Sequence, residues 1–221
     1  MLAKDLVSDI IPTLRTSDTG QKALSWMELF RVSHLPIVNN TELLGLVSDH
    51  EIFDQGCQEE AIGSLNLSNF SAYVTVNQHL LEIIALVGSL NVSVVPVIDE
   101  NNKYMGCITQ QQLITAFAEA TAVKQPGAIL VLEMNANDYS LSQISQIVES
   151  NDTKILGAYV TSMNDSTRIT VTLKLNRVEI ASVIQTFNRY NYIIQASYLE
   201  DDKVDAIVSE RMDLLMRYLN M

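Results

Sequence analysis

The chain states one pattern twice. At an offset of 60 residues Pro36 matches Pro96, Leu24 matches Ile84, Met27 matches Val87, and Val32-Ser33 matches Val92-Ser93. Gly45 matches Gly106 at 61, so one residue is inserted in between. Such self-similarity constrains a fold more than any single motif, because each unit leaves an apolar face that its copy can cover.

Within a unit the order reads helix, hairpin, helix. Residues Lys22 to Val32 form the first expected helix, with Leu24, Met27, Leu29 and Phe30 as its apolar face, and His79 to Val92 form the counterpart. Strands LPIV and LLGLVS follow, joined across Asn39-Asn40-Thr41-Glu42; in the second unit Asp99-Glu100-Asn101-Asn102 supplies the turn. A further helix opens after Ser48 and after Thr109, both suitable N-caps.

Past Phe117 the pattern changes. A Pro-Gly break at Pro126-Gly127 precedes a strand–helix–strand–strand–helix–strand series ending near Leu199. That βαββαβ order is the ferredoxin-like split-βαβ arrangement, with an antiparallel sheet and both helices on one face. Asn164-Asp165-Ser166 is its expected hairpin turn. Residues 203–221 then place Val204, Ile207, Val208, Met212, Leu215 and Leu219 at helical spacing, a stripe that packs on its own domain or across a dimer.

Composition narrows the function classes. Fourteen basic against 26 acidic residues give a formal charge of −12, which disfavours nucleic-acid and membrane-surface roles. The two cysteines, Cys57 and Cys107, lack metal-site spacing, and Cys107 reads as a small buried thiol in an apolar strand. His34 reads as partly buried scaffold, and His79 as a surface residue at a helix start. The opening residues lack a signal-peptide core and no apolar run is long enough to span a bilayer, so a cytoplasmic protein is expected. No nucleophile elbow, Walker loop, HExxH or triad series appears, and Asp49 and Glu51, two apart, do not share a helix face. The chain does not read as an enzyme.

The DIIPTLRTSDT, SHLPIV and G-L-V-S-x-x-E segments of unit one, with VVPVI and G-C-I-T-x-x-Q of unit two, resemble a tandem cystathionine-β-synthase (CBS) pair, or Bateman module. The βαββαβ part resembles an ACT domain, and the CBS–CBS–ACT order resembles acetoin-utilisation-type regulatory proteins. The resemblance implies an α+β chain with CBS repeats over 1–57 and 58–122, an ACT-like domain over 127–202 and a C-terminal helix over 203–221. It also implies a homodimer, a small-molecule effector such as AMP, ADP, ATP or S-adenosylmethionine between the repeats, and output to an unidentified protein partner.

Family members commonly close a unit with Ser/Thr, two residues, then Asp, whose carboxylate accepts both ribose hydroxyls. Here Ser48 is followed by His50 and Glu51, one methylene longer than Asp, and Thr109 by Gln112, which is uncharged. Two readings stand for each: ligand contact, or ordinary helix former. His50 occupies a place where a basic residue meets phosphate, or is a plain exposed residue. In the ACT-like part the candidate effector loop holds Asn135, Asn137 and Asp138, where Asp138 attracts an amino group or, like Ser140, caps the helix at Leu141. Ligand sensing and a constitutive dimeric scaffold are the two functions left.

Overall fold

A computed structural model describes residues 1–65, 72–162 and 167–198. The turn expected at 164–166 and the helix expected over 203–221 lie outside the described residues. The chain divides between Ala120 and Thr121 into two units.

In the first unit α1 (Gly20–Phe30) begins where the Thr19 hydroxyl accepts the Lys22 N–H, and ends at Arg31 in the left-handed region (φ 54°). It thus starts and stops earlier than periodicity alone predicts. Its apolar face is narrower as well: Ala23 and Met27 are buried, whereas Leu29 is 72% exposed. Counterpart α3 (Leu80–Leu90) is capped by His79 and ended by Asn91, φ 52°. The matching left-handed residue at each helix end turns the chain into its strand.

Each helix leads into a hairpin: β1 (His34–Asn39) with β2 (Glu42–Ser48), and β4 (Val94–Ile98) with β5 (Tyr104–Thr109). Both ladders slip one residue at the same place, between Ile37 and Val38 and between Val97 and Ile98. The short strand β3 (Val74–Thr75) runs parallel to β4, with Val74 opposite Val97. Leu14 repeats that geometry opposite Ile37 as a single parallel bridge. Helices α2 (Asp49–Asp54) and α4 (Gln110–Ala120) close the units. Their lengths differ because Gly56 takes φ +64° where Phe117 continues the longer helix.

The segments leading into the repeats change places. Ala3 and Lys4 donate to the carbonyls of Gln78 and Val76, and Ser8 exchanges two backbone hydrogen bonds with Cys107, all in the second repeat. Reciprocally, Ile62 and Gly63 donate to the carbonyls of Asp18 and Thr16 in the first. Equivalent residues also meet each other: Ser33 donates from its N–H to Ser93 Oγ, and Glu42 bridges Lys103. A pseudo-twofold axis passes where such pairs meet. One core spans both repeats, with Leu14, Leu35, Ile37 and Ile52 from the first and Ile83, Val94, Val97 and Ile108 from the second.

The second unit runs β6 (Ile129–Asn135), α5 (Leu141–Glu149), β7 (Ile155–Ser162), β8 (Arg168–Leu175), α6 (Ala181–Arg189) and β9 (Ile193–Tyr198). The sheet order β7-β8-β6-β9 is wholly antiparallel, the ferredoxin-like order. Along β8, Ile169, Val171, Leu173 and Leu175 alternate into the core against Ile144, Val148, Val183 and Phe187 of the helices. The fold is α+β throughout.

Candidate functional site

The residues that close the two repeats adopt the same local structure. Ser48 caps α2: its N–H and Oγ both donate to Glu51 Oε2 (2.8 and 2.9 Å), and its Oγ accepts the Glu51 N–H (3.1 Å). Thr109 caps α4 identically: its N–H and Oγ1 donate to Gln112 Oε1 (2.8 and 3.0 Å), and Oγ1 accepts the Gln112 N–H (3.2 Å). These are capping boxes. An amide oxygen serves this purpose as a carboxylate does, because the cap needs only an acceptor. Glu51 and Gln112 look different as chemistry and are the same as architecture.

Around Thr109 and Gln112 lies a cleft of about 370 Å³, lined also by Asp5, Leu6, Thr115 and Glu119. Asp5 and Leu6 belong to the exchanged lead segment, so this cleft exists because residue 3 docks on residue 78 rather than on its own repeat. Thr115 and Glu119 follow Gln112 at i+3 and i+7 on one helix face, a spacing that the sequence displays. Asp5 had no sequence signal, since only the exchange brings it near. His50 is exposed on α2, and Ser48 is buried.

At the junction of the repeats His34 Nδ1 lies 3.3 Å from Ser93 Oγ and accepts the Ser93 N–H at 3.3 Å. Burial holds its pKa below the ordinary value of 6.5, against Asp49 and Glu51, which favour the charged ring, and with His50, which opposes it. A protonated Nδ1 cannot accept these bonds. Because the folded value is depressed, this contribution is complete above about pH 6.5 and is lost as pH falls below it toward the folded value. Thermal melts should therefore fall between about pH 7 and 5.5, and His34→Asn, which keeps an acceptor without a proton to gain, should flatten that decline. An unchanged slope in the variant would remove His34 from the account.

Cys107 is 1% exposed, its thiol 3.4 Å from the Tyr104 hydroxyl, and burial pushes its pKa up to about 12. It is a packed, unreactive thiol.

In the second unit Asn135 and Asp138 line a cavity of about 340 Å³ together with Glu133, Gln143, Arg168 and Tyr192; Asn137 does not line it. Asn135 Nδ2 donates to Asp138 (3.0 Å), Arg168 pairs with Glu133, and Ser140 rather than Asp138 caps α5. Arg168 comes beside Asn135 only through the β6–β8 register, so proximity in sequence could not find it. Among the described residues no helix is long and apolar enough to cross a membrane, and no group of three or more His, Cys, Asp and Glu could hold a metal ion.

The family model described as the CBS domain matches residues 3–55 and again 68–119. A homoserine O-acetyltransferase from Methanococcus vannielii is 23% identical over 51% of this chain, and an uncharacterised protein from Methanocaldococcus jannaschii is 22% identical over 52%. The chain spans only 24% and 43% of those relatives' lengths. Among solved structures, a CBS domain pair/ACT domain protein from Thermotoga maritima covers 54% of this chain and 98% of its own (18% identity, TM-score 0.49). The CBS-pair protein CBSX2 in complex with AMP covers 54% and 97% (19%, 0.48). A CBS domain pair in complex with 5′-methylthioadenosine and S-adenosyl-L-methionine covers 55% and 98% (20%, 0.47). The two repeats of the first unit are a tandem pair of CBS domains.

Proposed function

We propose that the CBS pair is a non-catalytic regulatory module that binds an adenosine-type small molecule and passes the event on as a change of packing. One observation carries this reading: the cleft at Thr109 and Gln112 is walled by α4 on one side and by the exchanged lead segment, Asp5 and Leu6, on the other. A ligand held between them bears on a contact that joins the repeats, and its differential affinity for two packings is all that regulation requires. Thr109 and Gln112 supply hydrogen-bonding groups of the kind a ribose needs. Gln112 commits its oxygen to the cap, which leaves its amide N–H groups to donate.

The test is a thermal-shift panel of AMP, ADP, ATP and S-adenosylmethionine on the full chain, followed by calorimetry. A true ligand at a hundred times its Kd adds about 2.7 kcal/mol of stability. Gln112→Ala is expected to weaken it by roughly 1–3 kcal/mol and to cost about 1 kcal/mol of stability through the lost cap. Glu51→Ala should do the same if the first repeat is occupied. Binding that ignores both substitutions places the ligand elsewhere, and silence across the panel favours the alternative, a constitutive dimeric scaffold.

A second reading rests on the cavity of the ferredoxin-like unit, whose element order is that of an ACT domain. Asp138 and the Arg168–Glu133 pair line that cavity and present charge of both signs to an amino-acid-like effector. An amino-acid hit lost in Asp138→Asn would move sensing to this unit. In either case the module is proposed to work as a cytoplasmic homodimer reporting to a protein partner, and light scattering decides the dimer.

A further inference from the structure

Phosphate binding needs unspent donors or cations. The cleft at α4 offers few of either. No Lys, Arg or His lines it, whereas Asp5 and Glu119 do. The start of α4, ordinarily an anion seat, has used three of its N–H groups on the chain itself: Thr109 donates to Gln112, Gln110 to the Ser93 carbonyl, and Gln112 to Thr109 Oγ1. At α2 the same groups are used likewise, by Glu51, the Ser33 carbonyl, Asp49 Oδ1 and Ser48 Oγ, and two carboxylates occupy the first turn. A ligand phosphate in the α4 cleft would exchange its water for two carboxylates, no cation and a helix end most of whose N–H groups are already used.

What remains on the walls is neutral and polar. Gln111 and Gln112 provide amides suited to a sugar and a base, Thr109 and Thr115, whose hydroxyls donate to Gln112 Oε1 and the Gln111 carbonyl, keep oxygen lone pairs to accept, and Leu6 and Ala116 are apolar contacts. The volume is at the lower end of small-molecule pockets, which run from about 300 to 1,000 Å³. Asp5 and Glu119 add attraction for positive charge. We infer that the cleft takes a nucleoside without phosphate, uncharged or cationic at its 5′ side. This rests on the adenosine-type reading above and narrows it.

Calorimetry on the full chain with 5′-methylthioadenosine, S-adenosylmethionine, AMP and ATP decides the matter. The first two should bind at least about tenfold more tightly than AMP, and AMP more tightly than ATP. The conservative double variant D5N/E119Q, both positions exposed, should narrow the gap to AMP by about fivefold and weaken S-adenosylmethionine more than methylthioadenosine. AMP or ATP binding as tightly as the phosphate-free ligands would overturn the inference and leave adenosine sensing standing. Binding by none of the four removes the adenosine reading, and this inference with it. A phosphate-free preference that D5N/E119Q does not alter shows that the discrimination arises outside this cleft.

Discussion

Gly106→Ala is expected to destabilise the CBS pair by about 2–4 kcal/mol and to release the first residues of the chain from the second repeat. Gly106 sits at φ +138°, where an L side chain is strained whatever space surrounds it. Space is absent too. A Cβ there would lie 2.6 Å from the Ser8 carbonyl oxygen and 2.9 Å from Val7 Cγ2. The oxygen is backbone, held by the hydrogen bond it accepts from the Cys107 N–H, so it cannot rotate aside. Urea denaturation gives the loss of stability, and amide exchange at residues 2–8 reports whether the lead segment has lifted. Met105→Ala is the control, since Met105 is 50% exposed and should cost little. If Gly106→Ala melts as the parent does and residues 2–8 stay protected, the docking of the lead segment described above is wrong.

Phe187→Ala should cost about 3–5 kcal/mol in the ferredoxin-like unit. Phe187 is fully buried on α6, within a core built from β6, β8 and both helices, and its ring meets that of Tyr192 edge to face at 5.2 Å. Removing it leaves a ring-sized void and strips Tyr192 of its partner. Tyr192 also lines the cavity near Asp138, so the same change should blunt any effector response there. The readout is amide exchange along β6 and β8, which should rise steeply. A loss below about 1 kcal/mol would mean that the core closes over the gap or is not packed as described.

The repeat announced most of the first unit because its marks are local. Pro36 and Pro96, Gly45 and Gly106, and the turn residues of both hairpins fix backbone geometry where they stand, and the helices and strands fall near the expected places. Leu29 faces solvent, against expectation, because periodicity gives the width of an apolar face only roughly, and its neighbour Phe30 takes the inward place. The order of the last six elements was equally legible, since each carries its own alternation or helical period.

The candidate sites were legible only in part, for a physical reason. Ser48 and Thr109 could be found as N-caps, and Glu51 and Gln112 because they stand three residues on, where the family resemblance places an acid. Whether Glu51 differs from Gln112 in substance could not be judged from composition, because both turn an oxygen back on the cap and the contrast in charge is immaterial there. Asp5 and Arg168 could not be found at all. Each reaches its site through pairing with chain far away, Asp5 through the exchanged lead and Arg168 through strand register.

The exchange of lead segments also bears on how the protein is made. A ribosome releases the first repeat while its own opening residues have nowhere to dock, because their partners around Gln78 and Cys107 are not yet synthesised. That repeat also waits for Ile62 and Gly63 before its Thr16 and Asp18 carbonyls are answered. The smallest piece that can finish folding is therefore the pair, and the first repeat by itself leaves uncovered the apolar face that its copy would bury.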